Sequence, residues 1–159
     1  MIKVIDNFLP EIFFNFFKEQ ILNRDFPWYH QNSKVSDNDN EEQFTHLFYS
    51  KSKKQSDKVE LIKPILKQLF VKEVIKAKLN LTLKEDIIRP FEYHTDIDYI
   101  KCNTAILYIN TNNGKTLFKD KGDVESIENR LVIFPSDLLH TGTTHTDKKY
   151  RIVLNINYK

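Results

Sequence analysis

The sequence predicts a mainly β protein with N-terminal helices, an α+β arrangement whose strands form a jelly-roll barrel or sandwich. Two observations support this prediction. Up to residue 72, two segments place apolar side chains at helical spacing. From residue 75 onward the apolar period changes to two, and turn residues separate short alternating segments. About eight strands of this length and spacing favour a jelly-roll barrel or sandwich.

The N-terminal segment predicts a short strand followed by a helix. Residues 2–5 alternate as a strand does, and Asp6 and Asn7 then turn the chain. The helix opens near Pro10, because proline is tolerated at the first helical position. Apolar side chains recur along this helix and predict a face packed in the core: Phe13, Phe17 and Ile21, with Ile12 and Phe16 beside them.

A long loop and a second helix are predicted next. Residues 30–43 are polar and lack hydrophobic periodicity, and loops of this length are often functional. Trp28 and Tyr29, beside this loop, would either pack into the core or line a substrate lid. Ser56 can cap the second helix, which Pro64 should kink or delay.

The rest of the chain predicts strands. Between residues 75 and 83, Ile, Ala and Leu alternate with Lys, Asn and Thr, which predicts a half-buried strand. Sequences such as Asn-Asn-Gly and Pro-Ser-Asp mark turns between the later segments. Together with an earlier segment at 44–49, the predicted strands are 75–83, 91–96, 103–109, 116–118, 123–127, 130–134, 140–143 and 150–158.

Composition and charge argue against several functional classes. The chain has 24 basic and 22 acidic residues, a net charge of +2, and few of the basic residues are arginine. No basic stripe is visible, so we expect no nucleic-acid partner. Only three glycines are present, and they form neither a phosphate-binding loop nor a dinucleotide fingerprint.

The length predicts one domain. The 159 residues fall within the range of about 100–200 residues for a single domain. We expect a helical support over residues 8–72 and a β-barrel core over residues 74–158. No long apolar stretch and no signal-peptide pattern are present, so we expect no membrane partner and a cytoplasmic location. A single cysteine, Cys102, fits a reducing compartment.

One histidine–carboxylate pair has the spacing of a metal site. His94 and Asp96 are two residues apart on a predicted strand, so their side chains point to the same face. His140 follows a predicted strand and a proline turn, which would bring it back to the mouth of the barrel. Two histidines and one carboxylate form the facial set that holds Fe(II) and leaves positions open.

The pair pattern alone has low specificity, because the chain contains it twice. His145-Thr146-Asp147 matches it as well, in a segment that has the composition of a turn. No histidine follows it to complete a triad, so we expect His145 and Asp147 to face solvent.

Arg151 heads an otherwise apolar strand. Alternation puts Arg151, Val153 and Asn155 on its inward face. A buried charge is costly unless it is paired. The arginine would therefore either grip the carboxylate of a ligand or form an ion pair with a nearby acidic residue, and Asn155 is a candidate polar contact in the same pocket.

These residues carry a resemblance to a known family. His94-x-Asp96, His140 and Arg151, in this order and spacing, resemble the Fe(II)/2-oxoglutarate-dependent dioxygenase superfamily. The prolyl 4-hydroxylase-like branch and the small phage-type members are the most similar. Residues 104–110 resemble the T-x-x-x-Y-L-N strand of that branch. Three further parts of the sequence agree, namely the hairpin at 114–118, the opening at 5–10 and the general outline of the N-terminal half.

The resemblance implies a double-stranded β-helix, which is a cupin-like jelly roll, with Fe(II) bound by His94, Asp96 and His140. Arg151 would bind the distal carboxylate of 2-oxoglutarate, and the Tyr108 hydroxyl would be a second donor to it. The implied activity is hydroxylation with O₂, with release of succinate and CO₂.

The resemblance leaves the substrate and the activity open. It favours a peptidyl side chain, often proline, with a free amino acid or another small molecule as the alternative. A barrel of the same fold that binds a metal or ligand without turnover is the competing interpretation.

Overall fold

The computed structural model describes residues 1–34, 39 and 41–159. The helices are α1 (Glu11–Leu22), a 3₁₀ helix (Asp57–Ile62) and α2 (Lys63–Gln68). The strands are β1 (Lys3–Ile5), β2 (Tyr29–Gln31), β3 (Gln43–Ser50), β4 (Lys53–Lys54), β5 (Val74–Leu83), β6 (Asn103–Tyr108), β7 (Lys115–Phe118), β8 (Gly122–Glu125), β9 (Leu131–Pro135), β10 (His140–Gly142) and β11 (Tyr150–Tyr158).

Two antiparallel sheets form the body of the protein. The larger sheet has the strand order β1-β9-β6-β11-β5-β3-β2, with β4 paired to the edge of β3. The smaller sheet has the order β10-β7-β8. The crossing connections and the two sheets are those of a jelly roll, so the predicted fold class, a double-stranded β-helix with N-terminal helices, is confirmed.

The two faces of the larger sheet have different environments. On β11, Ile152, Leu154 and Ile156 belong to the main apolar core, which also contains the buried side chains of the helices. The alternate residues Arg151 and Asn155 face the smaller sheet and line a cavity, as the sequence predicts for the inward set. The helices therefore cover the outer face, and the inner face is free to carry functional groups.

Strand β5 is amphipathic as predicted, but its polar face is the inner one. Ala77 and Leu79 are fully buried in the core shared with the helices. Lys76, Lys78 and Asn80 point the other way and line the cavity. Thr82, also on this face, is 7% exposed.

The apolar face of α1 differs from the prediction. Phe14, Phe17 and Ile21 are its buried residues, whereas Phe13 is 53% exposed. Phe13 and Phe14 lie on opposite sides of the line through Phe17 and Ile21, and packing selects Phe14. Ile12 and Phe16, predicted beside the buried face, are also exposed.

The second helical segment follows its sequence signals. The Ser56 hydroxyl accepts a hydrogen bond of 2.9 Å from the Lys58 amide and caps the 3₁₀ helix. Pro64 lies in the first turn of α2, where a proline needs no amide partner, and it separates the two helical pieces.

One local prediction is wrong, and another lies partly outside the described residues. Residues 91–96 do not form the predicted strand; Pro90 and His94 make isolated bridges to Thr143 and His140 instead. The predicted loop at 30–43 begins inside β2, and its residues 35–38 and 40 lie outside the described part of the chain.

None of the helices among the described residues has the length and hydropathy needed to cross a membrane.

Candidate metal centre and its cavity

A cavity of about 290 Å³ lies between the two sheets. The larger sheet contributes residues from β5, β6 and β11, and the smaller sheet contributes residues from β7 and β10. The segment before β6 forms a third wall with Phe91, His94 and Asp96. Residues far apart in the sequence therefore meet at one enclosed site.

The structure brings His94, Asp96 and His140 together on this wall. One ligand atom from each lies within 4.8 Å of the other two. His94 Nε2 is 3.9 Å from Asp96 Oδ1, and His140 Nε2 is 3.8 Å from Asp96 Oδ2. Two backbone hydrogen bonds between His94 and His140, of 2.9 and 3.0 Å, fix the spacing of the imidazoles.

The backbone sets the tautomer of both histidines. Nδ1 of His94 donates to the Glu92 carbonyl at 3.1 Å, and Nδ1 of His140 donates to the Leu138 carbonyl at 2.9 Å. A carbonyl only accepts, so Nδ1 carries the proton in the neutral ring and Nε2 presents its lone pair. Burial also lowers the pKa of His140, which favours the neutral form.

Asp96 is held by amide and hydroxyl donors. Thr104 donates to its Oδ2 at 2.8 Å, Asn157 at 3.1 Å and Asn155 at 3.3 Å. Burial by itself would raise the pKa of Asp96, but the two neighbouring histidines and the hydrogen bonds from Thr104 and Asn155 together lower it. The carboxylate is thus ionised and oriented.

This donor set fits Fe(II). Two neutral imidazoles and one carboxylate on one wall bind a divalent metal by one face, and the cavity leaves room for further ligands on the other. Hydrogen bonds to the distal ring nitrogens and to the carboxylate are the usual support for such ligands. Among the described residues, this is the one group of three such side chains close enough to hold an ion.

Arg151 is buried in the same cavity without an acidic partner. Its side chain is 6% exposed, and its contacts are neutral: Nε donates to the Ser126 hydroxyl at 2.9 Å, and one terminal nitrogen reaches the Lys115 carbonyl at 3.5 Å. No carboxylate among the described residues forms an ion pair with it. The alternative of a local ion pair therefore fails, and the free donors are available to an anion.

Gly114 makes room for the arginine. A Cβ at this position would lie 3.0 Å from Arg151 Cδ and 2.9 Å from Asn112 Oδ1. The Gly114 amide also donates to Asn112 Oδ1 at 3.0 Å. The glycine of the hairpin noted in the sequence is thus needed because a side chain at this position would crowd Arg151.

The other two residues predicted to contact the cosubstrate differ in their surroundings. Tyr108 is fully buried, and its hydroxyl donates to Thr116 at 2.7 Å; Thr116 lines the cavity, and the Tyr108 ring lies 5.8 Å from the Arg151 guanidinium. Asn155 lines the cavity, and its side-chain amide donates a hydrogen bond to Asp96. Their roles toward a cosubstrate stay predictions.

Sequence reasoning missed three residues of the site. Asn157 donates to both Asp96 and Thr104, and Lys76 and Lys78 line the cavity beside it. Continuing the inward alternation of β11 by one step would have found Asn157. Predicting that the two lysines line the cavity would have required knowing which face of β5 the helices cover.

His145 is the clearest wrong prediction. It is fully buried rather than exposed, although Asp147 is exposed as expected. Its carbonyl accepts from Glu85 and the adjacent Thr144 bonds to Arg89, so the segment before His94 covers it. The peptide group of Lys148 lies near the ring, yet neither ring nitrogen makes a hydrogen bond of acceptable geometry.

The two residues beside the predicted loop have different surroundings. Trp28 packs against the core and donates to the Ile21 carbonyl at 3.0 Å. Tyr29 is exposed and lines a groove next to the cavity. Asp98 is exposed and lies outside the site.

The architecture and the His-Asp-His group define the class of fold, that of the 2-oxoglutarate- and Fe(II)-dependent oxygenases of prolyl 4-hydroxylase type. A prolyl-4-hydroxylase from Pseudomonas putida has a TM-score of 0.67 and 16% identity, over 99% of this chain and 92% of that chain. A Trichoplax adhaerens prolyl hydroxylase, in complex with a hypoxia inducible factor oxygen degradation domain peptide fragment, has a TM-score of 0.71 and 16% identity, over 99% and 82%.

A third solved structure extends the comparison beyond prolyl hydroxylases. An oxidoreductase of the 2OG-Fe(II) oxygenase family from Burkholderia pseudomallei has a TM-score of 0.67 and 8% identity, over 99% of this chain and 85% of that chain. No protein-family model and no curated protein sequence matches the chain. The resemblance noted in the sequence is therefore confirmed at the level of the fold.

Proposed function

We propose that the protein is an Fe(II)- and 2-oxoglutarate-dependent dioxygenase that hydroxylates its substrate and releases succinate and CO₂. One observation supports this most directly. The three candidate ligand atoms lie within 4.8 Å of one another on the wall of a cavity, and the same cavity contains a buried arginine that has no acidic partner among the described residues. A site for a divalent metal and a site for a carboxylate thus share one enclosure.

His94, Asp96 and His140 would hold the iron. Their lone pairs converge. The carbonyls of Glu92 and Leu138 accept a hydrogen bond from Nδ1 of each ring, which fixes the tautomer that leaves Nε2 free to bind the metal. With a single carboxylate, the ligand set leaves a net positive charge on the bound metal, which favours a second anionic ligand such as a keto acid.

Arg151 would bind the distal carboxylate of 2-oxoglutarate. Its planar group suits bidentate binding, and Ser126 holds Nε so that the terminal nitrogens face the cavity. Tyr108 would provide a second donor, for which its hydroxyl must turn from Thr116. Asn155 would provide a polar contact next to Asp96.

When bound, iron, O₂ and 2-oxoglutarate supply the oxidising power for hydroxylation of a C–H bond. The residues of this chain orient the participants and limit the access of water. Ile106, Val153 and Phe91 form the apolar part of the cavity wall, which strengthens the attraction between Arg151 and an anion.

For the substrate we propose a peptidyl side chain of the prolyl type, with a free amino acid or another small molecule as the alternative. The prolyl hydroxylases among the similar structures, one of them bound to a peptide, support the first. We further propose that residues 1–159 form one oxygenase domain that acts in the cytoplasm.

The proposal is tested by an anaerobic titration with Fe(II) and then 2-oxoglutarate, followed by the visible metal-to-ligand charge-transfer band. The wild type should develop the band. His140→Ala should abolish it, because one of three metal ligands is lost. Arg151→Ala should weaken 2-oxoglutarate binding at least tenfold while metal binding persists.

Two exposed residues provide matched controls. His30 and Arg24 lie outside the cavity, so His30→Ala and Arg24→Ala should behave as the wild type does. Metal binding without the band would leave a metal-binding barrel that lacks this chemistry. Absence of metal binding in the wild type would refute the proposal.

A further inference from the structure

Two lysines of β5, Lys76 and Lys78, form what we call the lysine wall. Both line the cavity that contains the candidate metal centre. Both also line a neighbouring groove of about 720 Å³ that extends toward β2 and β3. The lysine wall therefore stands where the cavity opens into a space large enough for a substrate.

The lysine wall has no anionic partner among the described residues. By contrast, Lys34 at the same opening is ion-paired, with its ammonium 3.7 Å from Glu41 and over the ring of Phe91. Asp96 acts on Lys78 through its charge, but its oxygens already accept hydrogen bonds from Thr104 and Asn157. Two positive charges thus face the cavity, and neither has an anionic partner among the described residues.

This arrangement is unfavourable in the empty protein. The pKa of Lys78 is lowered to about 8, mainly by burial and also by the charge of Lys76, while Asp96 opposes the change. The Asn155 Oδ1 atom, directly across the sheet from Lys78, is buried without a hydrogen-bond partner among the described residues. Buried polar groups normally have partners, so a cluster that lacks them points to a ligand.

The lysine wall and Arg151 are separate anion sites. In the register of β5 and β11, Arg151 is opposite Thr82, and Lys78 is opposite Asn155. The four residues from 78 to 82 span about 13 Å of strand. Lys78 therefore lies near the end of the cavity where Asn155 contacts Asp96, away from the end assigned to the distal carboxylate of 2-oxoglutarate.

We propose that Lys78, assisted by Lys76, binds a carboxylate of the substrate, so that the substrate is an acidic amino acid or a peptide segment with an acidic side chain. This inference rests on the proposed oxygenase function and narrows its substrate class. A nucleic acid fits less well, because the wall offers two lysines rather than a long basic track.

The test is calorimetry on protein loaded with Mn(II) and 2-oxoglutarate in the absence of oxygen. The ligands are L-glutamate, L-glutamine, a blocked hexapeptide containing Glu-Pro, the same peptide with Gln-Pro, and a single-stranded oligonucleotide. The free amino acids and the peptides distinguish the two sources of the carboxylate. Wild type, Lys78→Gln and Lys76→Gln are compared with Lys84→Gln, an exposed lysine just after β5.

We expect one acidic ligand to bind at least tenfold more tightly than its amide, since a hydrogen-bonded charge is lost in the amide. Lys78→Gln should reduce that ratio to about one, Lys76→Gln should reduce it less, and Lys84→Gln should leave it unchanged. Thermal unfolding verifies that each variant is folded. The affinity for 2-oxoglutarate should stay within about threefold in Lys78→Gln.

Four results would overturn the inference. The wild type could show no preference for acids over amides, or Lys78→Gln could retain it. Lys78→Gln could weaken 2-oxoglutarate as much as the acidic ligand, which would assign the lysine to the cosubstrate. The oligonucleotide could be the one ligand that depends on Lys78.

The oxygenase proposal fails separately, when the wild type gives no charge-transfer band. In that case the acid-to-amide ratio, measured without metal or 2-oxoglutarate, still decides the role of Lys78.

Discussion

Replacing Lys78 by methionine should stabilise the protein at neutral pH. Methionine has about the length and the apolar character of the lysine stem, but it removes the buried charge. The protein without ligand then no longer has to desolvate an ammonium that lacks an anionic partner.

The magnitude follows from the pKa. Burial lowers the pKa of Lys78 from 10.5 to about 8, and each pH unit corresponds to about 1.36 kcal/mol. The charged lysine therefore costs about 3 kcal/mol at pH 7, or about 2 kcal/mol after allowance for its partial exposure. The folded pKa lies below the unfolded one, so the penalty is complete below pH 8 and disappears as the pH rises toward 10.5.

Urea unfolding of metal-free wild type and Lys78→Met at pH 7, 8, 9 and 10 measures this difference. The free energy of unfolding should be higher for the variant by about 2 kcal/mol at pH 7, and the two proteins should converge near pH 10. Lys84→Met, at an exposed site, should show no pH-dependent difference. A gain that is absent at pH 7, or that persists unchanged to pH 10, would refute the electrostatic reasoning.

Two further predictions concern the cavity. Gly114→Ala should weaken 2-oxoglutarate binding about tenfold at unchanged metal affinity, because its methyl group displaces Arg151; Gly142→Ala, whose Cβ would lie 3.6 Å from the same guanidinium, should bind normally. Equal binding by both would contradict this account. Thr104→Val should weaken metal binding about tenfold by releasing Asp96, measured by Mn(II) titration, and unchanged affinity would show that the hydroxyl is dispensable.

The sequence was sufficient for most of the long strands and for the inward residues of β11, but not for residues 91–96, which form no regular strand. Alternation has a period of two whether or not the face is covered, so the positions of Arg151 and Asn155 followed from the pattern and from the cost of burying a charge. The metal group was predictable because His94 and Asp96 share a face and His140 follows a turn.

The sequence could not reveal which part of the chain packs against each face of a strand or helix. On β5, alternation separates Leu79 from Lys78 but does not reveal that the helices cover the apolar side, so the lysines face a cavity. On α1, Phe13 and Phe14 flank the same stripe, and only packing decides between them. His145 is buried by a segment about 60 residues earlier in the chain, which no local pattern around it reveals.

The hydrogen bonds at Asp96 have a consequence for the order in which the site is assembled during synthesis. The ring of each histidine is oriented by a carbonyl two residues away. The carboxylate instead depends on Asn155 and Asn157, which leave the ribosome about 60 residues after it. A metal bound by His94, Asp96 and His140 would therefore reach its full affinity only after β11 has emerged and paired, and a nascent chain stalled before that strand would hold the metal weakly.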